Sequence, residues 1–351
     1  MPASIAHMLI AHKGLKKLQE SEDEGLASFA AMLDKTGGSE NYQAYMNLGS
    51  IGPDLYYYKR PIKGVIEILK DGYVQATGVT PWAYHLHSNR PNEFPLKLIQ
   101  IMFSDVKREG KKAKFGVDDV RKLAYIAGHL SHIAADQIIH PLVNKIAGPY
   151  YTSGDNRDIH REAEVYQDYF LYQEVYRLED KSGPKYEFFK QNFRKWVDCV
   201  EGYSLRNSED WFRYFLQRGF IETYGTGPDE RTIENSVDGV LVTLVASKMV
   251  GPYVGPYKRA DKEYKKEGRN GPRFQKYVGK PQYLKYYGEA VELTKIYLSA
   301  LYKVYRLLTD GEDFDENRKK RFCEVVNGAD LSCPLEEDIL EKAKAELAMG
   351  I

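Results

Sequence analysis

The chain has 351 residues, and its 50 Lys and Arg balance its 50 Asp and Glu, so its formal net charge is zero. With 43% hydrophobic residues, this composition excludes an intrinsically disordered chain and a generally basic nucleic-acid coat. The length is enough for one large domain or two ordinary ones with a buried core.

The sequence has no pattern typical of a membrane span or a secretory signal. The longest interior apolar run, from Gly239 to Ser247, holds nine residues, whereas a bilayer span needs about 20. The N-terminal stretch has no basic residues before its apolar residues and no small-residue cleavage site. The three cysteines include no close pair, which argues against a disulfide scaffold and a thiolate zinc site. We therefore expect a cytoplasmic protein.

Hydrophobic residues recur at three- and four-residue steps along nearly the whole chain, and no stretch alternates with period two. This periodicity predicts an all-α fold. Asp118 or Asp119 is expected to cap a helix that Pro141, which lacks an N–H group, kinks or ends just after His140. Ser208 is expected to head another helix with acidic residues in its first turn. The other predicted helices cover residues 93–110, 160–180, 186–200, 231–250, 282–309 and 336–349.

The histidines are unevenly distributed. All eight lie in the first 160 residues, an arrangement that random placement would give with a chance of roughly 0.2%. Chemistry that uses imidazole is therefore expected in the N-terminal half. The eight are His7, His12, His85, His87, His129, His132, His140 and His160.

The segment AYIAGHLSHIAADQIIHPLVN concentrates these groups on one helix. On it, His132, Asp136 and His140 lie one turn apart on one face, and apolar residues fill the other sides, so the polar row is expected to face a buried site or a cleft. His160 and Glu164 repeat the His-x-x-x-acid step further on. About 1.1 such pairs are expected by chance and two occur, so a single pair is more typical of an ordinary helix-surface hydrogen bond.

The order of the motifs is more specific than any one of them. MPASIAH, LGSIGPDLYYY, YHLHS and GHLSHIAADQIIHP with a later His-x-x-x-Glu follow one another within residues 1–170. This order resembles the intracellular bacterial branch of the zinc-dependent phospholipase C family, which shares its fold with zinc-dependent single-strand nucleases. The resemblance implies a multi-helix bundle of that type over residues 1–220 and a helical C-terminal extension of unknown role over 221–351. Whether the two parts pack as one domain is left open.

The resemblance also implies a cluster of zinc ions. Two ions are implied, and a third is optional. One ion is implied at His132 and Asp136, completed by the upstream Asp54 and His87. His85 is the alternative to His87. Asp54 is also implied as a general base in catalysis.

A second ion is implied at a triad, and a third is implied near the N-terminus. The third would be shared by His7 and a bridging Asp136. Secreted relatives complete this third site with the amine and carbonyl of an N-terminal tryptophan. Here, removal of Met1 would leave the amine of Pro2 five residues before His7. The residues of the implied triad are His140, His160 and Glu164.

These expectations favour a phospholipase C-like phosphodiester hydrolase in which a zinc-activated water attacks phosphorus. Two alternatives stay open: single-strand nuclease-like activity, and a zinc-binding structural or interaction protein with a degenerate site. Residues 251–288 hold ten basic residues, three acidic residues and seven tyrosines. This composition is most often a solvated surface, but it is also compatible with peripheral contact to anionic lipid or phosphates.

Overall fold

The structure is a computed structural model that describes residues 4–58, 81–150, 152–176, 210–239, 255–279, 282–331 and 338–351. Within these ranges nearly all regular structure is helical, which confirms the predicted all-α class. None of the helices in these ranges has the length and apolar character needed to cross a bilayer.

Short helices precede one long central helix. They are α1 (Ser4–Gln19), α2 (Glu24–Leu33), α3 (Tyr42–Ser50), a 3-10 turn (Gly52–Tyr58), α4 (Pro81–Ser88), α5 (Glu93–Asp105), the hairpin strands β1 (Arg108–Glu109) and β2 (Lys112–Ala113), and the central α6 (Val117–Ala147). The helix predicted over 93–110 is too long, because β1 and β2 pair antiparallel across a turn in which Gly110 takes a φ of 64°.

The second half of the described chain is also helical. Its elements are α7 (Gly154–Phe170) with a π-helical turn (Leu171–Tyr176), α8 (Asp210–Tyr224), helical residues 230–239, α9 (Gly255–Glu267), a 3-10 turn (Gly268–Asn270), α10 (Pro272–Tyr277), α11 (Gln282–Asp310), α12 (Glu316–Val325) and α13 (Ile339–Met349). α11 matches the helix predicted over 282–309. α7 begins before the predicted residue 160, because the Ser153 hydroxyl accepts a hydrogen bond from the Asn156 amide at 3.0 Å and caps the helix there. The predicted helix 186–200, residues 240–250 and Ser208 lie outside the described residues.

Helix α6 is longer than predicted at both ends. It begins at Val117, with Gly116 at the N-cap and the Asp119 carboxylate accepting a hydrogen bond from the Gly116 amide at 3.0 Å. Of the two outcomes predicted for Pro141, a kink or an end just after His140, the end is wrong, since α6 continues to Ala147. A proline inside a helix costs about 3 kcal/mol. Buried neighbours such as Leu142 and Val143 offset this cost by packing the last turns against the core.

Helices α3 and α6 approach so closely that their backbones touch. A Cβ atom at Gly128 would overlap the Met46 carbonyl oxygen, and one at Gly49 would overlap the Tyr125 carbonyl oxygen. Glycine is required at both positions because no side-chain atom fits between the helices. This crossing places the C-terminal end of α3 against the face of α6 that carries the histidine row.

Helix α11 packs on α1 and α6, so the C-terminal region lies directly against the N-terminal helices. A Cβ atom at Gly14 of α1 would overlap the Thr294 side chain of α11. The buried Tyr297 hydroxyl of α11 donates to the Gln137 side-chain oxygen on α6 at 2.5 Å. Residues from both halves of the chain therefore contribute to the core around α6.

We expect Gly128→Ala to lower the free energy of unfolding by about 1–3 kcal/mol, because the added methyl group has to push α3 away from α6. The matched control is Gly288→Ala on the exposed side of α11, where a Cβ atom meets open space. That control should be neutral or slightly stabilising. Urea unfolding of the two variants measures the difference, and equal stability would contradict the close crossing.

Candidate metal centre

Eight side chains from five elements meet at the core of the molecule. α1 brings His7, the 3-10 turn after α3 brings Asp54, and α4 brings His87. The other five come from α6 and α7. All are buried except for His140, whose side chain is 13% exposed. The complete set is His7, Asp54, His87, His132, Asp136, His140, His160 and Glu164, which are all the residues that the sequence assigns to the metal site.

Asp136 lies at the centre of this set. Its Oδ1 is 3.3 Å from His7 Nε2 and 3.2 Å from His140 Nε2. Its Oδ2 is 3.1 Å from His132 Nε2 and 3.7 Å from His87 Nε2. One carboxylate thus faces four imidazoles from three helices. His7, His132 and Asp136 form the first of three groups whose ligand atoms lie within 4.8 Å of one another.

The second group consists of Asp54, His87 and His132. His87 Nε2 is 3.3 Å from Asp54 Oδ1 and 3.3 Å from His132 Nε2. Asp54 Oδ2 is buried and accepts no hydrogen bond from the described residues. This oxygen is therefore available to a ligand or to a proton.

The third group consists of His140, His160 and Glu164. Glu164 Oε1 is 3.0 Å from His160 Nε2 and 3.7 Å from His140 Nε2, and the two imidazole rings pack edge to face. The Tyr150 ring packs against His160, and the buried Arg161 donates to the Tyr150 hydroxyl at 3.0 Å. The group is therefore enclosed on one side by an aromatic ring.

Backbone carbonyls determine which ring nitrogen faces the centre. The Nδ1 atoms of His87, His132 and His140 lie 2.7, 2.9 and 2.8 Å from the carbonyl oxygens of Ala83, Ser50 and Leu331. A carbonyl oxygen only accepts, so each Nδ1 carries the proton and each Nε2 of a neutral ring presents a lone pair.

This arrangement fits a cation. The Nε2 lone pairs of His87 and His132 face each other at 3.3 Å, and they repel unless a proton or a metal ion lies between them. Imidazoles held by a backbone carbonyl at the other nitrogen are typical metal ligands. Neutral imidazole with carboxylate is also the donor set that suits zinc.

The pKa values of these groups diverge strongly in the metal-free protein. Burial lowers the pKa of His7 to about 4, and the nearby His132 adds to this effect. Burial also acts to lower the pKa of His140, but Asp136 and Glu164 outweigh it and raise that pKa to about 10. The pKa of Glu164 is lowered, because His160 and His140 outweigh the effect of burial. The carboxylates Asp136 and Glu164 thus favour the protonated form of His140, and burial favours the neutral form of His7.

His87 and His85, the two candidates for one ligand position, face different parts of the structure. His87 points into the site, whereas the His85 ring stacks on Tyr224 with a centroid distance of 4.8 Å. His85 Nδ1 lies 3.1 Å from the side-chain amide of Asn89, which follows the last residue of the same helix. His85 therefore takes no part in the three groups.

The comparisons with known proteins agree with this geometry. The family described as zinc dependent phospholipase C has a model that matches residues 6–221, more than half of the 351 residues. The chain belongs to this family. No curated protein and no solved structure gives a significant match.

Family membership and the three buried groups together support a zinc-dependent, phospholipase-like hydrolase that acts on a phosphate ester. The matched residues include all eight site residues. Helices α9 to α13 lie beyond the match.

Asp168, which no sequence motif above includes, fixes the helix that carries His7. The Asp168 carboxylate on α7 is buried and accepts hydrogen bonds from the Ile5 and Ala6 amides at 3.2 and 2.9 Å. Burial outweighs these bonds and raises the pKa of Asp168 to about 8. Its position four residues after Glu164 continues the step of the His160 motif, a signal that could have identified it.

The Pro2 amine, which the sequence offers to a third ion, lies outside the described residues.

Zinc binding at pH 7–8 should release protons, because zinc takes only neutral imidazole. The pKa of His140 is about 10, and the pKa of His132 is raised because Asp136 outweighs burial. With its pKa near 4, His7 is already neutral and releases nothing. Calorimetry in buffers of different ionisation enthalpy measures this release, and zinc affinity should rise with pH over this range. His85→Gln is the control that should leave the release unchanged, whereas binding without proton release would contradict the raised pKa values.

Proposed function

We propose that this chain is a zinc-dependent phosphodiesterase of phospholipase C type. The observation that supports it best is the inward orientation of the imidazole Nε2 atoms around Asp136, with carbonyls holding Nδ1 of three of the rings. In this proposal the site holds two zinc ions, and a third zinc ion would bind at His7 and Asp136. When bound, zinc lowers the pKa of a water molecule and neutralises charge on the phosphoryl oxygens.

Each metal group would have its own ligands from this chain. Asp54, His87, His132 and Asp136 would hold the first ion, and His7 would share the third with Asp136. Asp136 can bridge two ions because both of its oxygens face imidazoles on different helices. The second ion would be held by His140, His160 and Glu164.

Asp54 is the proposed general base. Its Oδ1 lies 3.3 Å from His87 Nε2, on the side of the metal group, while its Oδ2 has no hydrogen-bond donor among the described residues. A carboxylate oxygen in that state can take the proton of an attacking water. Asp54 would also be one of the ligands of the first ion.

Two tyrosine rings beside the metal groups would contact the substrate. Tyr57 packs 5.8 Å from His87 and 6.1 Å from Tyr150, measured between ring centroids, and both tyrosines are partly exposed. An aromatic face can attract a cationic head group or stack on a nucleobase. These rings are therefore equally compatible with a phospholipid substrate and with a single-stranded nucleic acid substrate. Activity assays on both substrates distinguish the two.

The predicted contact of residues 251–288 with anionic lipid has weaker support. Arg259 and Arg273 both pair with Glu162 on α7, at 3.0 and 3.7 Å. Lys265 pairs with Asp261 on its own helix. These three of the ten basic residues therefore have carboxylate partners, and Arg259 and Arg273 connect α9 and α10 to α7. The lipid contact and the cytoplasmic location stay predictions.

Asp54→Asn should lower kcat on a chromogenic phosphodiester by about 10²- to 10⁴-fold, because the amide cannot take a proton. Zinc content per chain, measured by elemental analysis, separates the loss of the base from the loss of a ligand. The matched control is Asp118→Asn, which alters an exposed carboxylate that pairs with Arg121. Full activity of Asp54→Asn would exclude the proposed base.

Chelation of zinc should abolish turnover and lower the melting temperature, because the buried carboxylates and imidazoles lose their shared cation. Zinc should restore both. A zinc-dependent melting temperature without turnover of phospholipid, nitrophenyl phosphodiester or single-stranded nucleic acid would favour the structural alternative. Turnover of nucleic acid alone would favour the nuclease-like alternative.

A further inference from the structure

A short segment of the C-terminal region lies against the metal centre. Residues 326–331 follow α12 and lie about a hundred positions beyond the end of the family match at residue 221. They are nevertheless in hydrogen-bond contact with α4, α5 and α6. Val326 and Leu331, at the two ends of the segment, are both fully buried.

Leu331 contacts two of the elements that carry site residues. Its carbonyl oxygen accepts the Nδ1–H of His140 at 2.8 Å. Its amide donates to the His87 carbonyl oxygen at 2.8 Å. That carbonyl belongs to the last turn of α4, where no further helical amide is available to it. One residue therefore links the helix of His87 to the ring of His140.

Two further side chains fix the segment. Gln137, next to Asp136 on α6, donates to the Asn327 carbonyl oxygen at 2.7 Å. Asn92, at the start of α5, donates to the Val326 carbonyl oxygen at 2.8 Å. At Gly328 the segment passes so close to Asn92 that a Cβ atom would overlap the Asn92 side chain. Two hydrogen bonds and the close contact at Gly328 thus determine the path of the segment.

We propose that residues 326–331 are a positioning segment of the metal centre. The Leu331 carbonyl holds His140 with Nε2 towards Asp136 and Glu164, and the anchors at Val326 and Asn327 keep that carbonyl in place. The inference rests on the proposed metal centre and extends it to a part of the chain that the family match does not cover. Zinc affinity then depends on the segment, and bound zinc in turn stabilises the segment, because coupling between two sites is reciprocal.

The test compares two identical substitutions, Gly328→Ala and Gly288→Ala, in the full chain. The methyl group at 328 displaces the Asn92 amide and breaks its bond to Val326, whereas the methyl group at 288 meets open space. Loss of an outer contact of a metal-ligating histidine lowers metal affinity by about 10- to 100-fold. Gly328→Ala reaches the His140 contact only through Val326, so we expect a loss of about 10-fold, at the lower end of this range, and none for Gly288→Ala, measured by competition with a chromophoric zinc chelator.

A second measurement needs no variant. Amide hydrogen exchange of the wild-type protein, without and with zinc, should show slower exchange in the peptide that contains residues 326–331 when zinc is present. Wild-type affinity in Gly328→Ala together with unchanged exchange would overturn the proposal. If the wild-type protein takes up no zinc, the metal centre itself is wrong. Normal uptake without phosphodiesterase activity would overturn only the proposed function.

Discussion

The structure depends on the convergence of imidazole nitrogens and carboxylates around Asp136. Four imidazole Nε2 atoms lie within 3.7 Å of its two oxygens, in a region that solvent hardly reaches. Burial of so many titratable groups is costly unless each has a partner. A divalent cation shared by these groups would offset this cost. The helices therefore have to hold these groups against a tendency to separate.

The scaffold meets this demand with close backbone contacts. The glycine crossing of α3 and α6 brings the Ser50 carbonyl to His132, and Asp168 fixes the first turn of α1 so that His7 faces Asp136. Such contacts leave little room for adjustment, since packed interiors resist small displacements. A substitution such as Gly128→Ala would therefore displace the residues of the metal groups, because the backbones of α3 and α6 move apart.

The C-terminal region adds to the site a component that lies outside the family match. Leu331 supplies a carbonyl to His140, and Tyr297 orients the Gln137 side chain that holds Asn327. Both come from beyond the family match. This arrangement would let the extension adjust metal affinity without any change in the ligand set, and it is equally compatible with a catalytic and a structural zinc cluster. The substrate tests separate these two roles.

The sequence by itself determined the helical class, the row of His132, Asp136 and His140 on one face of α6 and the His160 motif, because helical periodicity and one-turn spacing are local properties. The choice between His85 and His87 required the tertiary structure. Both lie on the same short helix, and only packing decides which one faces the core. The continuation of α6 through Pro141 likewise depends on neighbours that stabilise its last turns. The contact between Leu331 and His140 uses a backbone carbonyl, which every residue has, so no pattern of side chains could have indicated it.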